Sequence, residues 1–448
     1  MKKVIFLTFS LIAFANIGFS QSADTLHFTI REAISYAIAN NPQLKVSRLD
    51  EVNNEYKIKE IKSSALPQVN GSGTGTDNFQ LSSTLLPGEI IGQPGVKVPV
   101  KMGTRFVYGA NLQLQQTIYN PSLNAGLSAA KASQGLYALQ TFKTKEDLIY
   151  NLAQVYIQLQ IADKQQSLIE GNIERTEKLL DMTQLQYKEG IAKKVDVDQL
   201  NVNLTNLKTQ YSSTKNDYNQ LLNSIKLLMN IDVAQPIALA APGERELPVS
   251  NKLILDANTD LNILDKQIAL QELNTKSIKA GFLPTVSLSA NYGKQFQTSK
   301  LFNSAATSGF ASGYYSLNVS IPIFDGFSKR NKIAQSNTAL KQLQFNKEYL
   351  VKNVQNEFQT ATENLNQNRK VANAQEQNMK VAEELYNVAK LSFTEGISPL
   401  SELINAENSL REAQTQYLTA TLQMNLAELE TMKTSGQLSQ IINNNSFK

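Results

Sequence analysis

The side chains that most often carry catalysis or bind metals are nearly absent from this chain. Cysteine does not occur, and His27, near the start, is the only histidine. A zinc site built from His and Cys, or a Ser-His-Asp triad, therefore has no set of ligands or partners. The GxxxxGK loop that cradles phosphates is missing as well. We expect no enzyme, no cofactor and no resident metal, and a disordered polar side chain at His27.

The overall composition allows a large folded protein of nearly neutral charge. The chain has 448 residues, of which 42% are hydrophobic, and 43 basic residues stand against 39 acidic ones. Nucleic acid is bound by concentrated positive charge, which a formal net charge of +4 does not supply. Nucleic acid is therefore not an expected partner.

The first twenty residues have the pattern of a secretory signal peptide. Two lysines after Met1 precede the apolar stretch Val4–Phe19, and the small residues Gly18 and Ser20 stand before Gln21. Such a pattern predicts export and cleavage near Ser20. The absence of cysteine excludes a lipid anchor on a terminal Cys. No later apolar run is long enough for a membrane helix, so entry into a membrane would have to use strands.

Three short landmarks occur in the same order in both halves of the chain. Leu-Pro pairs at Leu66–Pro67 and Leu283–Pro284 each separate a helical stretch from an extended one. The later landmarks are the strand ends Leu112–Asn120 and Leu317–Asp325, and the turns Tyr187–Ile191 and Phe393–Ile397. Repeated order of this kind predicts an internal duplication. The predicted divisions are a signal peptide at 1–20, a first repeat at 21–231, a connector at 232–250, a second repeat at 251–435 and a polar tail at 436–448.

Four extended segments alternate between apolar and uncharged polar residues. The predicted strands cover about 67–80, 104–119, 284–297 and 313–324, and a Pro/Gly-rich insertion between the first two, from Leu85 to Pro99, is expected to be a surface loop. The alternation suits a strand between lipid and a water-filled lumen, but equally a soluble antiparallel sheet. Four strands cannot close a barrel, so in lipid two or three chains would have to share one.

Aromatic residues in and near these strands suggest how the sheet would sit in lipid. Tryptophan is absent. A girdle at the membrane interface would therefore be built from Tyr and Phe. Its candidates are Phe79, Phe106, Tyr292, Phe296, Tyr314 and Tyr315.

Two stretches without proline predict unusually long helices. The segment from Ser122 to Glu189 would form a rod of roughly 100 Å, and Gly326–Glu395 one of similar length. Apolar residues at Leu148, Leu152, Val155, Leu159 and Ala162 form a narrow stripe that favours coiled-coil contact over a wide core. Each rod ends at a glycine turn and is followed by a returning helix. The predicted helical hairpins cover 121–231 and 326–432, with returning helices at Val195–Tyr218 and Leu400–Leu429.

The order of these features resembles the TolC family of outer-membrane efflux proteins over nearly the whole mature chain. The resemblance implies an α+β membrane protein with a trimeric 12-stranded outer-membrane β-barrel, four strands per chain, continued by a periplasmic α-helical barrel. It also implies a passive duct for drugs, toxic compounds or other cargo. Its partners would be two further copies, outer-membrane lipid, a periplasmic adaptor and an inner-membrane transporter.

The resemblance further implies a periplasmic gate near the second tip. Glu402 stands at a position where the family carries a pore-lining acid, Asn405 replaces a second acid, and Asp196 matches an Asp of the family's closing lock. The partners of that Asp are replaced by Phe393 and Ser398, so we consider Lys193 or Lys194 as substitutes. Glu402 could instead be only a favourable charge at a helix start.

The tips at Gly190, Ile191, Gly396 and Ile397 are candidates for contact with the adaptor, although a glycine there can simply satisfy a turn. The alternative function is a periplasmic coiled-coil protein, either structural or an adaptor. Extraction from the outer membrane with detergent would distinguish the two.

Overall fold

The structure, a computed structural model, describes residues 26–92, 94–240, 252–300, 308–438 and 441. The predicted signal peptide and residues 241–250 of the predicted connector lie outside these ranges. The helices are α1 (Ile30–Asn40), α2 (Pro42–Ser63), α3 (Pro121–Lys188), α4 (Lys194–Met229), α5 (Thr259–Ala280), α6 (Ser328–Thr394) and α7 (Leu400–Thr434). The strands are β1 (Leu26–Phe28), β2 (Gln68–Asp77), β3 (Ser83–Pro87), β4 (Lys97–Lys101), β5 (Phe106–Tyr119), β6 (Ile237–Leu239), β7 (Thr285–Thr298) and β8 (Ser308–Ser320).

The predicted rods are single helices. α3 has 68 residues and begins where Asn120 accepts a hydrogen bond from the Leu123 amide at 3.1 Å, with Pro121 at its first position. α6 has 67 residues. The returning helices run further than the sequence predicted, because α4 reaches Met229 and α7 reaches Thr434. Each half therefore contains a long helix and one of about half its length, antiparallel to each other.

A four-stranded antiparallel sheet has the order β2-β5-β7-β8. Its register places the apolar residues of neighbouring strands on one face, as in Val69 opposite Leu114 and Leu288 opposite Leu317. The other face is polar, and there the Ser289 and Ser316 hydroxyl oxygens lie 2.7 Å apart. The two outer strands, β2 and β8, each have one unpaired edge among the described residues.

Three details of the sheet and of the insertion differ from the predictions or add to them. The last strand covers Ser308–Ser320 instead of 313–324, because Pro322 has no N–H to continue the ladder. Tyr314 pairs with Asn291 on the polar face. It therefore cannot belong to an aromatic girdle on the apolar face. The insertion from Leu85 to Pro99, predicted as a surface loop, contains most of a largely exposed hairpin of β3 and β4, which the sequence did not predict.

The long helices stand side by side in the same order as the strands to which they connect. Ser47 of α2 donates a hydrogen bond to Thr144 of α3 at 3.1 Å, and Lys143 of α3 pairs with Asp260 of α5 at 2.9 Å. α5 in turn contacts α6, where an ion pair joins Asp265 to Lys347. The wall therefore has the order α2-α3-α5-α6 below a sheet of order β2-β5-β7-β8.

The largest core lies part-way along the wall. The side chains with at most 2% exposure there are Ala33, Ile34, Ala37, Leu44, Ile149, Leu152, Ala153, Leu159, Ile225, Met229, Leu429, Met432, Leu438 and Ile441. The stripe predicted as a narrow coiled-coil seam thus enters a wide core, because α1 and the ends of α4 and α7 converge on it. The predicted polar tail also contributes, since Leu438 and Ile441 are buried. His27 lies in β1, paired with Ala238 of β6, and is not disordered.

Leu152 should be a strong determinant of stability. Its side chain is fully buried in this core. We expect Leu152→Ala to lower the free energy of unfolding by about 3 kcal/mol, through lost burial and the cavity left behind. Thermal unfolding of the detergent-solubilised protein, followed by circular dichroism, measures the change. Leu185→Ala is the control, since Leu185 lies on the same helix and is 63% exposed; equal effects of the two substitutions would contradict the prediction.

Candidate functional site at the hairpin tips

The two predicted tips have the same backbone geometry. Gly190 has φ +74° and Gly396 has φ +70°, in the left-handed region where a side chain is strained. The amide of Ile191 donates to the carbonyl five residues earlier at 2.8 Å, and Ile397 does the same at 2.8 Å. These are Schellman turns that end α3 and α6. They leave the side chains of both isoleucines outside the turn, 77% and 78% exposed.

Asp196 is the third residue of α4, the returning helix of the first hairpin. Its carboxylate accepts a hydrogen bond from the Lys193 backbone N–H at 3.0 Å. This bond satisfies a donor that the helix itself leaves unpaired. Among the described residues, neither the Lys193 nor the Lys194 ammonium lies within ion-pair distance of Asp196. The described geometry therefore gives Asp196 a helix-capping bond.

Glu402 occupies the matching position of the second hairpin, six residues after the tip glycine, but it cannot cap in the same way. The residue three positions before it is Pro399, which has no N–H to donate. Glu402 and Asn405 are both exposed and, at a spacing of three, lie on one face of α7. Leu403 and Ile404 on the opposite face are buried. The structure thus places Glu402 and Asn405 together on a solvent-facing stripe.

The two residues that replace the family's partners of Asp196 lie elsewhere. Phe393 packs against the apolar cluster between the two hairpins. The Ser398 hydroxyl is buried without a hydrogen-bond partner within the described part of the chain. Leu200 of the first hairpin and Leu403 of the second are buried in this same cluster, at 0% and 2% exposure. The tips are therefore joined within one chain by apolar packing.

A buried polar cluster above the tips was missed by the sequence analysis. Glu407 of α7 is 3% exposed and accepts a hydrogen bond from Thr176 of α3 at 3.3 Å. The Arg175 guanidinium lies 5.8 Å from the centre of the Tyr386 ring on α6. One turn along α7, Arg411 donates to Asn203 of α4 at 3.2 Å. All four long helices of the two hairpins therefore meet through polar side chains at this level.

Burial of Glu407 raises its pKa above the ordinary value of 4.5, and the hydrogen bond from Thr176 and the charges of Arg175 and Arg411 oppose the shift. An acid with a raised pKa stabilises the fold when protonated, so its contribution falls as the pH rises through that pKa. We expect the melting temperature of Glu407→Gln, which resembles the protonated form, to gain on that of wild type as the pH rises from 4.5 through the raised pKa of Glu407, and the difference to stay constant above that pKa. Melting curves at several pH values test this. Glu412→Gln is the control, since Glu412 is exposed on the same helix. A difference in melting temperature between Glu407→Gln and wild type that does not change with pH would contradict the prediction.

Within the described ranges, no group of three or more His, Asp or Glu side chains is arranged to hold a metal ion. Among the same residues, no helix combines the length and the apolar composition needed to cross a bilayer.

Comparison with known proteins identifies the family. Residues 33–230 and 252–437 match the family described as outer membrane efflux protein. The chain belongs to the outer membrane efflux protein family. It is therefore an efflux protein of the outer membrane, which confirms the family and the location predicted from the sequence, and its family is one of channels and not of enzymes. The location in the outer membrane decides against the alternative of a periplasmic coiled-coil protein, either structural or an adaptor.

Individual relatives cover nearly the whole chain at low identity. The outer membrane protein TolC of Escherichia coli is 22% identical over 438 residues, or 93% of this chain and 84% of TolC. The probable efflux pump outer membrane protein TtgC of Pseudomonas putida is 21% identical over 425 residues, or 91% and 82%. Among solved structures, the CmeC outer membrane channel of Campylobacter jejuni has a TM-score of 0.71 at 16% identity, with 94% of this chain and 90% of that chain covered. VceC of Vibrio cholerae also has 0.71, at 14% identity, with 91% and 96% covered. These structures share the fold.

Proposed function

We propose that three copies of this chain form a passive duct through the outer membrane, which receives cargo from an inner-membrane transporter through a periplasmic adaptor. Each copy contributes four strands to a 12-stranded barrel and two helical hairpins to the tube below it. The protein itself catalyses no reaction in this proposal. The two halves, 21–231 and 251–435, are internal repeats, and residues 1–20 are removed on export. Mass spectrometry of the mature N-terminus tests the cleavage.

The observation that carries the proposal is the pair of matching open edges. Within the part of the chain that the structure describes, β2 and β8 each have one unpaired edge, and the helical wall ends in α2 and α6, the helices connected to those two strands. Four antiparallel strands alternate in direction, so β8 runs opposite to β2 and can pair antiparallel with β2 of the next copy. Closure around an axis leaves no exposed edge, which lipid requires.

Both sides of the wall support a shared tube. An apolar stripe on α2 includes Val46, Leu49 and Tyr56, which are 57%, 64% and 62% exposed in the single chain. On α6, Phe345 and Tyr349 are 66% and 72% exposed. Large apolar side chains left in water at both edges of one wall are typical of an interface between copies.

The faces of the sheet indicate where lipid and cargo go. The apolar face meets lipid, and the face with Ser289, Ser316 and Asn318 lines the lumen. Those side chains hydrogen-bond to one another, with Asn318 donating to Ser289 at 2.9 Å. An uncharged polar lining supports passage of many solutes without a specific site, so selection rests with the transporter.

At the periplasmic end, we infer a constriction at Glu402, with Asn405 one turn above it. Three copies of an exposed carboxylate around an axis would favour cations at a narrow opening. Asp196 supports the same region as a helix cap, since its carboxylate already accepts the Lys193 amide. The structural support for this assignment is the shared exposed face of Glu402 and Asn405.

Ile191 and Ile397 are the proposed adaptor contacts, held outward by the turns at Gly190 and Gly396. Photo-crosslinking groups placed at either isoleucine should capture the adaptor in cells of the native host. The control position is Phe79, which is 88% exposed and follows β2 at the end of the sheet farthest from the helices. Capture from Phe79 but from neither tip would contradict the docking assignment.

Reconstitution into a planar lipid bilayer tests the duct itself. We expect the purified protein to insert as discrete conducting units that also pass uncharged solutes. The polar lining predicts conductance that scales with bulk salt at high concentration. A protein that is recovered as a monomer without detergent and does not conduct would refute the proposal.

A further inference from the structure

The junction between β8 and α6 contains an apolar recess with two cations at its rim. The recess has a volume of about 360 Å³. Its lining includes Phe282, Ile323, Phe324, Phe327, Lys329 and Arg330. The recess lies directly below the sheet, at the level where the proposed barrel leaves the membrane.

The recess continues the apolar face of the sheet. On β8 the residues Tyr315, Leu317 and Val319 lie on that face, and beyond the end of β8 at Ser320 the sequence keeps the same alternation at Ile321 and Ile323. Both isoleucines are exposed in the single chain, Ile323 at 95%. The apolar face is the side proposed to meet lipid, and Ile321 and Ile323 extend it from the sheet toward α6.

The aromatic rings in the recess are held out by an unusual backbone. Phe327 has φ +65°, a left-handed conformation that is strained for a bulky residue. Its ring meets that of Phe324 edge to face at 5.4 Å between centres, and Phe324 remains 74% exposed. Strain that presents two rings to the outside indicates a contact partner for this surface.

The two cations are placed against the preference of their helix. Lys329 and Arg330 are the second and third residues of α6, where the helix dipole disfavours positive charge. The Lys329 ammonium lies 5.4 Å from the centre of the Phe282 ring and 3.5 Å from the Asp325 carboxylate. Within the described residues, Arg330 is exposed and forms no ion pair. The equivalent junction of the first half, Asn120–Gly126, carries no charge.

We propose that this recess, which we call the junction recess, binds an anionic phospholipid of the periplasmic leaflet. The headgroup phosphate interacts with Arg330 and Lys329, and the first part of the acyl chains packs on Ile323 and Phe324. Aromatic rings and basic side chains at a membrane boundary have this complementarity to anionic headgroups. The inference rests on the proposed function, because it needs the sheet to sit in the outer membrane.

Native mass spectrometry of the full-length protein in detergent, with added phosphatidylglycerol or phosphatidylcholine, tests the proposal. Wild type should retain phosphatidylglycerol in preference to phosphatidylcholine. The double variant Lys329→Gln, Arg330→Gln should bind phosphatidylglycerol about tenfold more weakly, since each basic residue near a membrane surface contributes severalfold. The control Lys341→Gln, Lys352→Gln removes the same charge from exposed positions further along α6 and should bind as wild type does.

Several results would overturn the proposal. Equal loss of phosphatidylglycerol in both double variants would mean general charge attraction. Unchanged binding in the Lys329 and Arg330 variant, with a lower temperature of subunit dissociation, would mean that the next copy covers the recess. Displacement of the lipid by inorganic phosphate alone would mean an anion site without a lipid. Failure of the proposed duct is seen separately, as absence of conductance by wild type.

Discussion

A cysteine pair across the two edges of the wall should join three copies covalently. The chain contains no cysteine, so Val46→Cys on α2 and Phe345→Cys on α6 would introduce the only two thiols. We expect a short bifunctional maleimide to convert the double variant in outer membranes into a ladder that ends at three chains on denaturing gels. Each single variant should stay at one chain.

The expected level of the cross-link follows from lateral contacts within the chain. Ser47, next to Val46, bonds to Thr144, and the neighbouring Lys143 pairs with Asp260. Asp265, just over one turn further along α5, pairs with Lys347 between Phe345 and Tyr349. These contacts show that Val46 on α2 and Phe345 on α6 lie at similar heights in the four-helix wall. We therefore expect Phe345 of one copy to lie close to Val46 of the next.

In a matched control, the second cysteine lies on the same helix and the same face as Phe345 but at a different height along the helix. Val381 is 54% exposed on α6 and lies 36 residues beyond Phe345, which is ten full turns and roughly 50 Å. The pair Val46→Cys, Val381→Cys should give no ladder. A ladder that ends at two chains would replace the trimer with a dimer, and equal ladders from both pairs would indicate non-specific contact.

The sequence predicted the parts of the fold that depend on local pattern. The alternation in β5 and β7, the lack of proline in α3 and α6, and the tip glycines each restrict the backbone within a few residues. The structure agrees at these places, with Gly190 and Gly396 both in the left-handed region. The end of β8 at Ser320 also has a local cause, Pro322, although the strand was predicted to reach residue 324.

Features that depend on distant parts of the chain were missed. Leu152 and Leu438 share a core because α1, α4 and α7 converge on α3, and no periodicity within α3 reveals that convergence. Glu407 lies only five residues after Glu402, but its partner Thr176 lies 231 positions away. A buried acid on an otherwise apolar helix face is a signal that could have found this cluster, since Leu403 and Leu410 lie on that same face.

Neutralising the proposed acid ring should remove most cation block of the duct. We expect Glu402→Gln to weaken block by polyvalent cations at the periplasmic end by about tenfold or more, because three carboxylates are lost at one constriction. Asn405→Asp should have the opposite effect, since it adds a second ring one turn above. Planar-bilayer conductance with cations added from the periplasmic side measures both.

Asp196→Ala distinguishes an effect of the proposed Glu402 ring from an effect of losing a helix-capping bond. Its carboxylate caps α4 through the Lys193 amide, so the substitution should cost about 1 kcal/mol in local stability and leave cation block unchanged. Glu412→Gln is the charge control, because Glu412 is exposed on the same helix about 15 Å from Glu402. Cation block that survives in Glu402→Gln but is lost in Asp196→Ala would assign the constriction to the first hairpin and make Glu402 only a favourable charge at the start of α7.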